Sequence, residues 1–331
     1  MSLAKKSMSI FQNSALFRTL ANARRYSRSE NCKYICFFTR IFVPLYPMTY
    51  NALWKRLERQ YGEGEAKAIV RLLLDVRFGL SWTDIVCGKA DELTAEEQTV
   101  LQAMMLRLEQ GEPVQYVLEQ AEFGPRTFRV RPGVLIPRPE TYELCEWITG
   151  NSPDVPKGKK GLQILDIGTG SGCIACTLAA ELPQASVTAW DISEGALAVA
   201  RENAMQSGVD VKFERQDALC PPDNDDCWDI IVSNPPYICD KERTAMEQNV
   251  LEHEPHTALF VPDEDPLLFY RTIAQYGQQA LKPEGWLYFE INPLYASDMQ
   301  HMLSMLLYRD IELKTDQFGK QRMIRAMKGK R

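Results

Sequence analysis

The chain reads as an α/β protein in which a small helical bundle and a β-hairpin precede a sheet built from βαβ units. Three observations predict this. From about residue 49 to 118, apolar residues recur at helical spacing. From 121 to 139 they alternate with polar or turn residues, as in half-buried strands. After Gly161, short apolar runs alternate with helical stretches, the pattern of a parallel sheet. The length of 331 residues exceeds the ~100–200 usual for one domain, so more than one domain is expected.

Residues 1–47 carry eight Lys and Arg against the single acid Glu30, are rich in Ser and Asn, and show no sustained period. An Arg-rich, acid-poor stretch fits an organelle-targeting presequence. An over-extended reading frame accounts for it better, because Met48 is followed at once by the amphipathic run Tyr50-Asn51-Ala52-Leu53-Trp54-Lys55-Arg56-Leu57. The folded body is therefore expected to start at Met48, leaving 1–47 as a disordered or mis-assigned tail.

The helical domain is placed at 48–120. Leu53, Trp54 and Leu57 share one helical face, and Ala68, Ile69, Leu72, Leu73 and Val76 share the face of a second helix that stops at Gly79. Ser81 and Thr94 are N-cap candidates, and Thr94 with Glu97 spells a capping box ahead of Val100, Leu101, Met104 and Leu108. Gly111 and Pro113 end that helix. Residues 121–140 read as a hairpin linker, with Phe128, Val130, Val134 and Ile136 alternating and Pro132-Gly133 supplying a turn. Within 141–331, strands are expected at 163–166, 186–190, 211–214, 229–233 and 286–291, and helices at 173–181, 194–206 and 266–281. Two last strands are expected between 311 and 327, around the turn from Asp316 to Lys320.

Composition excludes several classes. With 45% apolar and 25% charged residues, the chain is not collagenous, disordered or a coiled coil. No window holds the ~20 uninterrupted apolar residues of a membrane span; the nearest, 34–48, is broken by Arg40, Pro44 and Pro47. The tail sums to +7, so the other 284 residues carry −13, 30 basic against 43 acidic. That acidic body argues against a duplex-DNA partner, whose phosphates supply most non-specific affinity. Nine cysteines form no disulfide framework, and with only three histidines no metal set is expected. Cys173 and Cys176 have C-x-x-C spacing but lie just inside a helix, where small buried side chains are wanted, and His253 and His256 lack a second ligand pair. A reducing, cytoplasmic compartment follows.

The chemistry gathers at strand ends. Ile164-Leu165-Asp166-Ile167-Gly168-Thr169-Gly170-Ser171-Gly172 runs from a strand through a glycine turn into a helix. Such a turn lets a ligand approach the backbone, and the helix start offers free N–H groups. It is not a dinucleotide fingerprint, since Cys173 stands at the third glycine position, nor a P-loop. Asp191 ends the next strand, where a carboxylate accepts hydrogen bonds from both ribose hydroxyls; the alternative is that Asp191 or Ser193 simply caps the following helix. Asp217 is placed to meet an adenine amino group, or is a solvated loop acid. Asn234-Pro235-Pro236-Tyr237 follows directly on the strand at 229–233. Its prolines fix φ and remove two backbone donors, leaving a stiff turn that presents acceptors, the Asn234 side-chain oxygen and the Pro235 carbonyl, while Tyr237 adds a flat face. That arrangement suits a planar NH2 group.

The glycine loop, the acidic residue and Asn-Pro-Pro-Tyr at these spacings resemble the class I S-adenosylmethionine-dependent methyltransferases that modify planar nitrogens. The stretches Gly111-Glu112-Pro113-Val114-Gln115-Tyr116-Val117-Leu118, Phe128 to Thr141, Ile231 to Ile238 and Glu254-Pro255-His256-Thr257-Ala258-Leu259-Phe260 are similar to the peptide chain release factor N5-glutamine methyltransferases, the PrmC/HemK family. The resemblance runs from about Met48 to Met327. It implies a Rossmann-like, seven-stranded class I methyltransferase domain whose last strand pair is antiparallel, behind a helical domain that grips the protein substrate. It implies S-adenosyl-L-methionine as cofactor, held by Gly168, Thr169, Gly170, Ser171, Gly172, Asp191, Asp217, Ala218 and Asn234. The substrate it implies is the glutamine of the Gly-Gly-Gln motif in class 1 release factors, bound by Asn234, Pro235, Pro236 and Tyr237, with Asn234, Pro235 and Tyr237 catalytic. No metal, no membrane and no direct DNA binding are expected, and the protein is expected to be a monomer. Ala218 departs from the pattern, standing where some members place an aromatic residue beside the adenine. The alternatives are a DNA adenine-N6 methyltransferase, which would use the same acceptor pair on a flipped base, and a non-catalytic S-adenosylmethionine-binding module.

Overall fold

The computed structural model describes residues 48–150 and 161–330, so the expectations for the basic tail lie outside the described residues. The chain enters helix α1 (Tyr50–Phe78) through Thr49, whose side chain accepts from Ala52 N. Gly62 takes φ 75° and ψ 165° inside this run, so α1 is two helical limbs joined at a glycine, as the two separate stripes anticipate. The first limb buries Leu53, Trp54 and Leu57 as expected. The second buries Ala66, Ile69, Val70, Leu73 and Leu74, while Ala68 and Val76 are exposed. This corrects the expected face. Apolar residues cover more than half of that limb, and the neighbouring helix decides which stripe turns inward.

That neighbour is α3 (Ala95–Glu109), reached through α2 (Trp82–Val86). Both are started by capping boxes, Ser81 with Asp84 and Thr94 with Glu97. Leu101, Met104, Met105 and Leu108 of α3 join the α1 stripes in one core, closed by Val117 of α4 (Val114–Leu118). Strands β1 (Gln120–Phe123) and β2 (Arg126–Arg129) then form an antiparallel hairpin. Its turn is at Gly124-Pro125, not at Pro132-Gly133 as the alternation suggested. Pro132-Gly133 does turn the chain, with Val134 N donating to Arg131 O at 3.0 Å, but 134–138 continues as a segment with no strand partner among the described residues.

After α5 (Pro139–Thr149) come β3 (Gln163–Ile167), α6 (Cys173–Glu181), β4 (Ser186–Asp191), α7 (Glu194–Ser207), β5 (Val211–Arg215) and β6 (Trp228–Ser233). A short excursion follows through β7 (Ile238–Cys239), α8 (Gln248–His253), α9 (His256–Leu259) and β8 (Phe260–Val261). The chain ends with α10 (Leu268–Ala280), β9 (Leu281–Glu290), α11 (Ala296–Met305), β10 (Tyr308–Thr315) and β11 (Gln321–Lys328). Strand β9 starts earlier than expected, at Leu281 opposite Trp228; Lys282-Pro283-Glu284-Gly285 then bulges out of register before Trp286 pairs with Ile230. Among the described residues, seven strands form one sheet in the order β10-β11-β9-β6-β3-β4-β5. From β9 to β5 all neighbours are parallel; β11 runs antiparallel to both β9 and β10. Both faces are covered. Ile164, Val187, Ile230 and Tyr288 meet α5 and α6 on one face, and Leu165, Ile167, Ile231 and Phe289 meet α10 and α11 on the other. Covered faces explain why these strands read as continuous apolar runs rather than alternations.

The strand order reverses beside β3. The chain leaves β3 toward β4 and β5, then returns to β6 on the other side. Crossovers therefore depart in opposite directions at the carboxyl ends of β3 and β6, opening the crevice in which α/β sheets bind ligands.

Candidate active site

That crevice is a cavity of about 480 Å³, lined by the ends of β3, β4 and β6, by the segment 133–138, and by the start of α10. Gly168 and Gly170 follow β3 at φ 76° and 56°, and a Cβ built on either meets no atom within 4 Å. Both face open cavity, so bound material can lie against their backbone. Gly172 differs. At φ 80° it starts α6, and its Cβ would stand 2.9 Å from Cβ of Ala200 on α7. It is not among the residues that line the cavity, and a side chain here would crowd the packing of α6 on α7.

The loop between these glycines is pinned from four sides. Gly168 N and Thr169 N both donate to Trp190 O at 2.9 Å. Thr169 Oγ1 donates to Asp166 Oδ2 at 2.6 Å, and Asn203 Nδ2 donates to Ser171 O at 2.8 Å. Burial pushes the Asp166 carboxyl up to about 7, against the pull of hydrogen bonds from Thr169 and the Ala175 backbone. The fourth tie is Asp191, whose Oδ2 accepts from Gly170 N at 2.9 Å and whose Oδ1 accepts from Ser193 N at 2.8 Å. Asp191 lines the cavity, its pKa raised by burial, while Ser193 is the N-cap of α7. Of the two candidate caps, it is Ser193 whose side chain caps α7, accepting from Ala196 N at 3.2 Å. Asp217 also lines the cavity, with Oδ1 accepting from Leu219 N at 2.8 Å. Beside it Ala218 and, from α10, Phe269 pack on the same apolar cluster and reach the same cavity.

Opposite the glycine loop, β6 ends at Ser233, whose hydroxyl donates to Ile167 O at 2.6 Å and locks the two strand ends together. Asn234, Pro235 and Pro236 form cavity wall. Asn234 Nδ2 donates to Thr141 Oγ1 at 3.2 Å, and among the described residues neither Asn234 Oδ1 nor the Pro235 carbonyl has a hydrogen-bond partner. The wall stops at Pro236. Tyr237, expected to present a flat face, is half-buried, and its hydroxyl is turned inward to donate to Glu290 Oε1 at 2.9 Å. Thr141 Oγ1 donates to the other oxygen of the same carboxylate. Burial raises the pKa of Glu290, while Thr141, Tyr237 and Arg322 act to lower it.

Sequence reasoning assigned no role to Thr141, Glu290, Glu254 or Asn203. Glu254, with its carboxylate buried, accepts from Ile136 N at 3.2 Å and from the Arg138 guanidinium, tying the cavity-lining segment 134–138 to the end of α8. Asn203 also exchanges two hydrogen bonds with the Arg129 backbone, joining the hairpin to the glycine loop. The available signal was chemical: Glu290 is an acid closing the apolar strand Trp286-Leu287-Tyr288-Phe289. Among the described residues no group of His, Cys, Asp and Glu could hold a metal, and no helix is long and apolar enough to cross a membrane. Cys173 and Cys176 are buried.

Residues 154–258 match the Methyltransferase small domain family, and residues 52–118 match the PrmC N-terminal domain family. The release factor glutamine methyltransferase of Bacteroides thetaiotaomicron is 49% identical over 271 residues, covering 82% of this chain and 95% of that protein. That of Flavobacterium psychrophilum is 41% identical over 80% of this chain and 93% of its own length. The protein of the same name from Streptococcus pneumoniae is 39% identical over 82% and 94% respectively.

Proposed function

The chain belongs to the release factor glutamine methyltransferase family, and from that premise we propose that it transfers a methyl group from S-adenosyl-L-methionine to the side-chain amide nitrogen of the glutamine in the Gly-Gly-Gln motif of class 1 release factors. The observation that carries this reading is the acceptor pair at the end of β6. Asn234 Oδ1 and the Pro235 carbonyl border the same cavity as the glycine loop, and a planar NH2 group has two hydrogens to meet them.

The residues present fit the cofactor. A cavity of about 480 Å³ lies within the ~300–1,000 Å³ of small-molecule sites. Gly168 and Gly170 leave a cradle that a Cβ would fill, Asp191 offers a carboxylate to a ribose, and Ala218 with Phe269 provides apolar surface for a base. S-adenosyl-L-methionine, when bound, supplies an electrophilic methyl on a sulfonium. The protein's part is directed at the nucleophile. An amide nitrogen is poorly nucleophilic because its lone pair is shared with the carbonyl. Asn234 and Pro235 would hold both of its hydrogens, orient the nitrogen, and stabilise the positive charge that grows on it until one of those hydrogens leaves as a proton to water after methyl transfer. Pro235 and Pro236 keep the two acceptors rigid, so little reorganisation is needed as charge develops.

The test is mass spectrometry of a purified release factor after incubation with this protein and S-adenosyl-L-methionine. The Gly-Gly-Gln peptide should gain the mass of one CH2 group. In Asn234→Ala the single-turnover rate should fall by about 10²–10³ while cofactor affinity changes little. Methylation that survives this change, or that falls only in step with cofactor binding, would remove Asn234 from the acceptor role.

A further inference from the structure

We propose that Glu290, acting through Thr141, sets which end of the Asn234 amide faces the cavity, making both of them positioning residues for methyl transfer. This rests on the acceptor reading of Asn234 given above. The two residues come from distant parts of the chain, Thr141 from the first turn of α5 and Glu290 from the last residue of β9, and each is 2% exposed. Neither belongs to the Asn-Pro-Pro-Tyr turn.

A threonine hydroxyl has one hydrogen and two lone pairs, and each Glu290 carboxyl oxygen is occupied as an acceptor. Glu290 takes the Tyr237 hydrogen on Oε1 and the Thr141 hydrogen on Oε2. With its only hydrogen committed, Thr141 Oγ1 can offer Asn234 nothing but a lone pair, and the group that satisfies a lone pair is the Asn234 NH2. The amide oxygen must then point the other way, into the cavity. Were Thr141 free to donate, the amide could turn over at no cost in hydrogen bonds. It would then present NH2 to an incoming NH2, two donors facing each other. The order Tyr237 to Glu290 from Thr141 from Asn234 thus converts a symmetric-looking amide into a defined acceptor.

Two substitutions separate this role from packing. Thr141→Val keeps the shape and removes the lone pair. Glu290→Gln keeps the shape but brings an NH2 that can donate to Thr141 and release its hydrogen toward Asn234. Each should lower the single-turnover methylation rate by about tenfold to a hundredfold, the scale of a misoriented reacting group, with KM for the release factor and S-adenosyl-L-methionine affinity near wild type. Thr141→Ser, which keeps the hydroxyl, should restore most of the rate. In the Asn234→Ala background Thr141→Val should cost nothing further, because the group it positions is gone; a merely structural effect would add.

Wild-type rates in Thr141→Val and Glu290→Gln, with Asn234→Ala inactive, overturn the positioning role and leave the acceptor reading standing. So does Thr141→Ser behaving like Thr141→Val, or a rate loss that follows melting temperature. An active Asn234→Ala overturns the acceptor reading itself. If Glu290→Gln fails to fold, the Thr141 pair and the double variant decide alone.

Discussion

Two glycines four residues apart should fail in different ways when given a side chain. Gly168 and Gly172 both hold left-handed backbone, at φ 76° and 80°. Alanine in that region costs ~1–2 kcal/mol. At Gly168 none of the described residues stands within 4 Å of the new Cβ, so in the free protein the cost is that of the strain. Gly168→Ala should lower Tm by roughly 2–4 °C at this chain size. At Gly172 the Cβ would sit 2.9 Å from Cβ of Ala200, against an ordinary carbon contact of ~3.5–4.0 Å, so α6 and α7 must separate. Overpacking adds ~1–3 kcal/mol to the strain. Gly172→Ala should therefore lose about 2–5 kcal/mol, or roughly 4–10 °C. Binding should show the opposite ranking. The Gly168 Cβ would occupy space at the cavity wall, and S-adenosyl-L-methionine affinity should fall by about tenfold or more, ~1.4 kcal/mol, while properly folded Gly172→Ala should bind close to normally. Thermal unfolding without ligand and titration calorimetry on the same preparations measure both. A Gly172→Ala protein that is stable but does not bind, or a Gly168→Ala protein that binds like wild type, would refute the division of roles.

Asp191→Ala should reduce S-adenosyl-L-methionine affinity by about 1–3 kcal/mol, read by calorimetry. It should also destabilise the free protein, because Gly170 N and Ser193 N lose their acceptor; an unchanged Tm would show that the loop does not depend on that tie. Glu254→Ala leaves the Ile136 N–H buried without its partner and frees Arg138, which should cost about 1–3 kcal/mol in urea unfolding. Asp166 makes stability depend on pH. Its folded-state pKa is raised from 3.8 to about 7, so its contribution is fully present below 3.8 and is lost as pH climbs through 7. The stability of wild type relative to Asp166→Asn should then decline across that window, by up to about 4 kcal/mol at ~1.4 kcal/mol per pH unit. A pH-independent difference would show that Asp166 ionises normally in the folded protein.

The strands of the main sheet, the helices at 173–181, 194–206 and 266–281, the N-caps at Ser81 and Thr94, the glycine turn and the Asn-Pro-Pro-Tyr turn were legible in the sequence, because each is written in residues that are neighbours along the chain; the helices Pro139–Thr149 and Ala296–Met305 were not placed. A parallel strand covered on both faces must be an apolar run, a capping box needs its acid three residues on, and Asn-Pro-Pro stiffens itself. The hairpin turn was misplaced by a local signal as well. Pro132-Gly133 does turn, but Gly124-Pro125 is the turn flanked by segments that can pair, and 134–138 is claimed instead by Glu254, more than a hundred residues away.

What only the tertiary structure decided has that same cause, partners distant in sequence. Strand β11 enters between β9 and β10, a placement invisible in its own residues. Gly172 looks like its neighbours in the glycine loop until Ala200 is brought against it. Thr141 and Glu290 lie 149 positions apart, and only the folded sheet sets one hydroxyl between an amide and a carboxylate. Patterns along the chain report which surfaces must be buried. They do not report which buried polar group meets which, because a hydrogen bond is chosen by the geometry of both its ends.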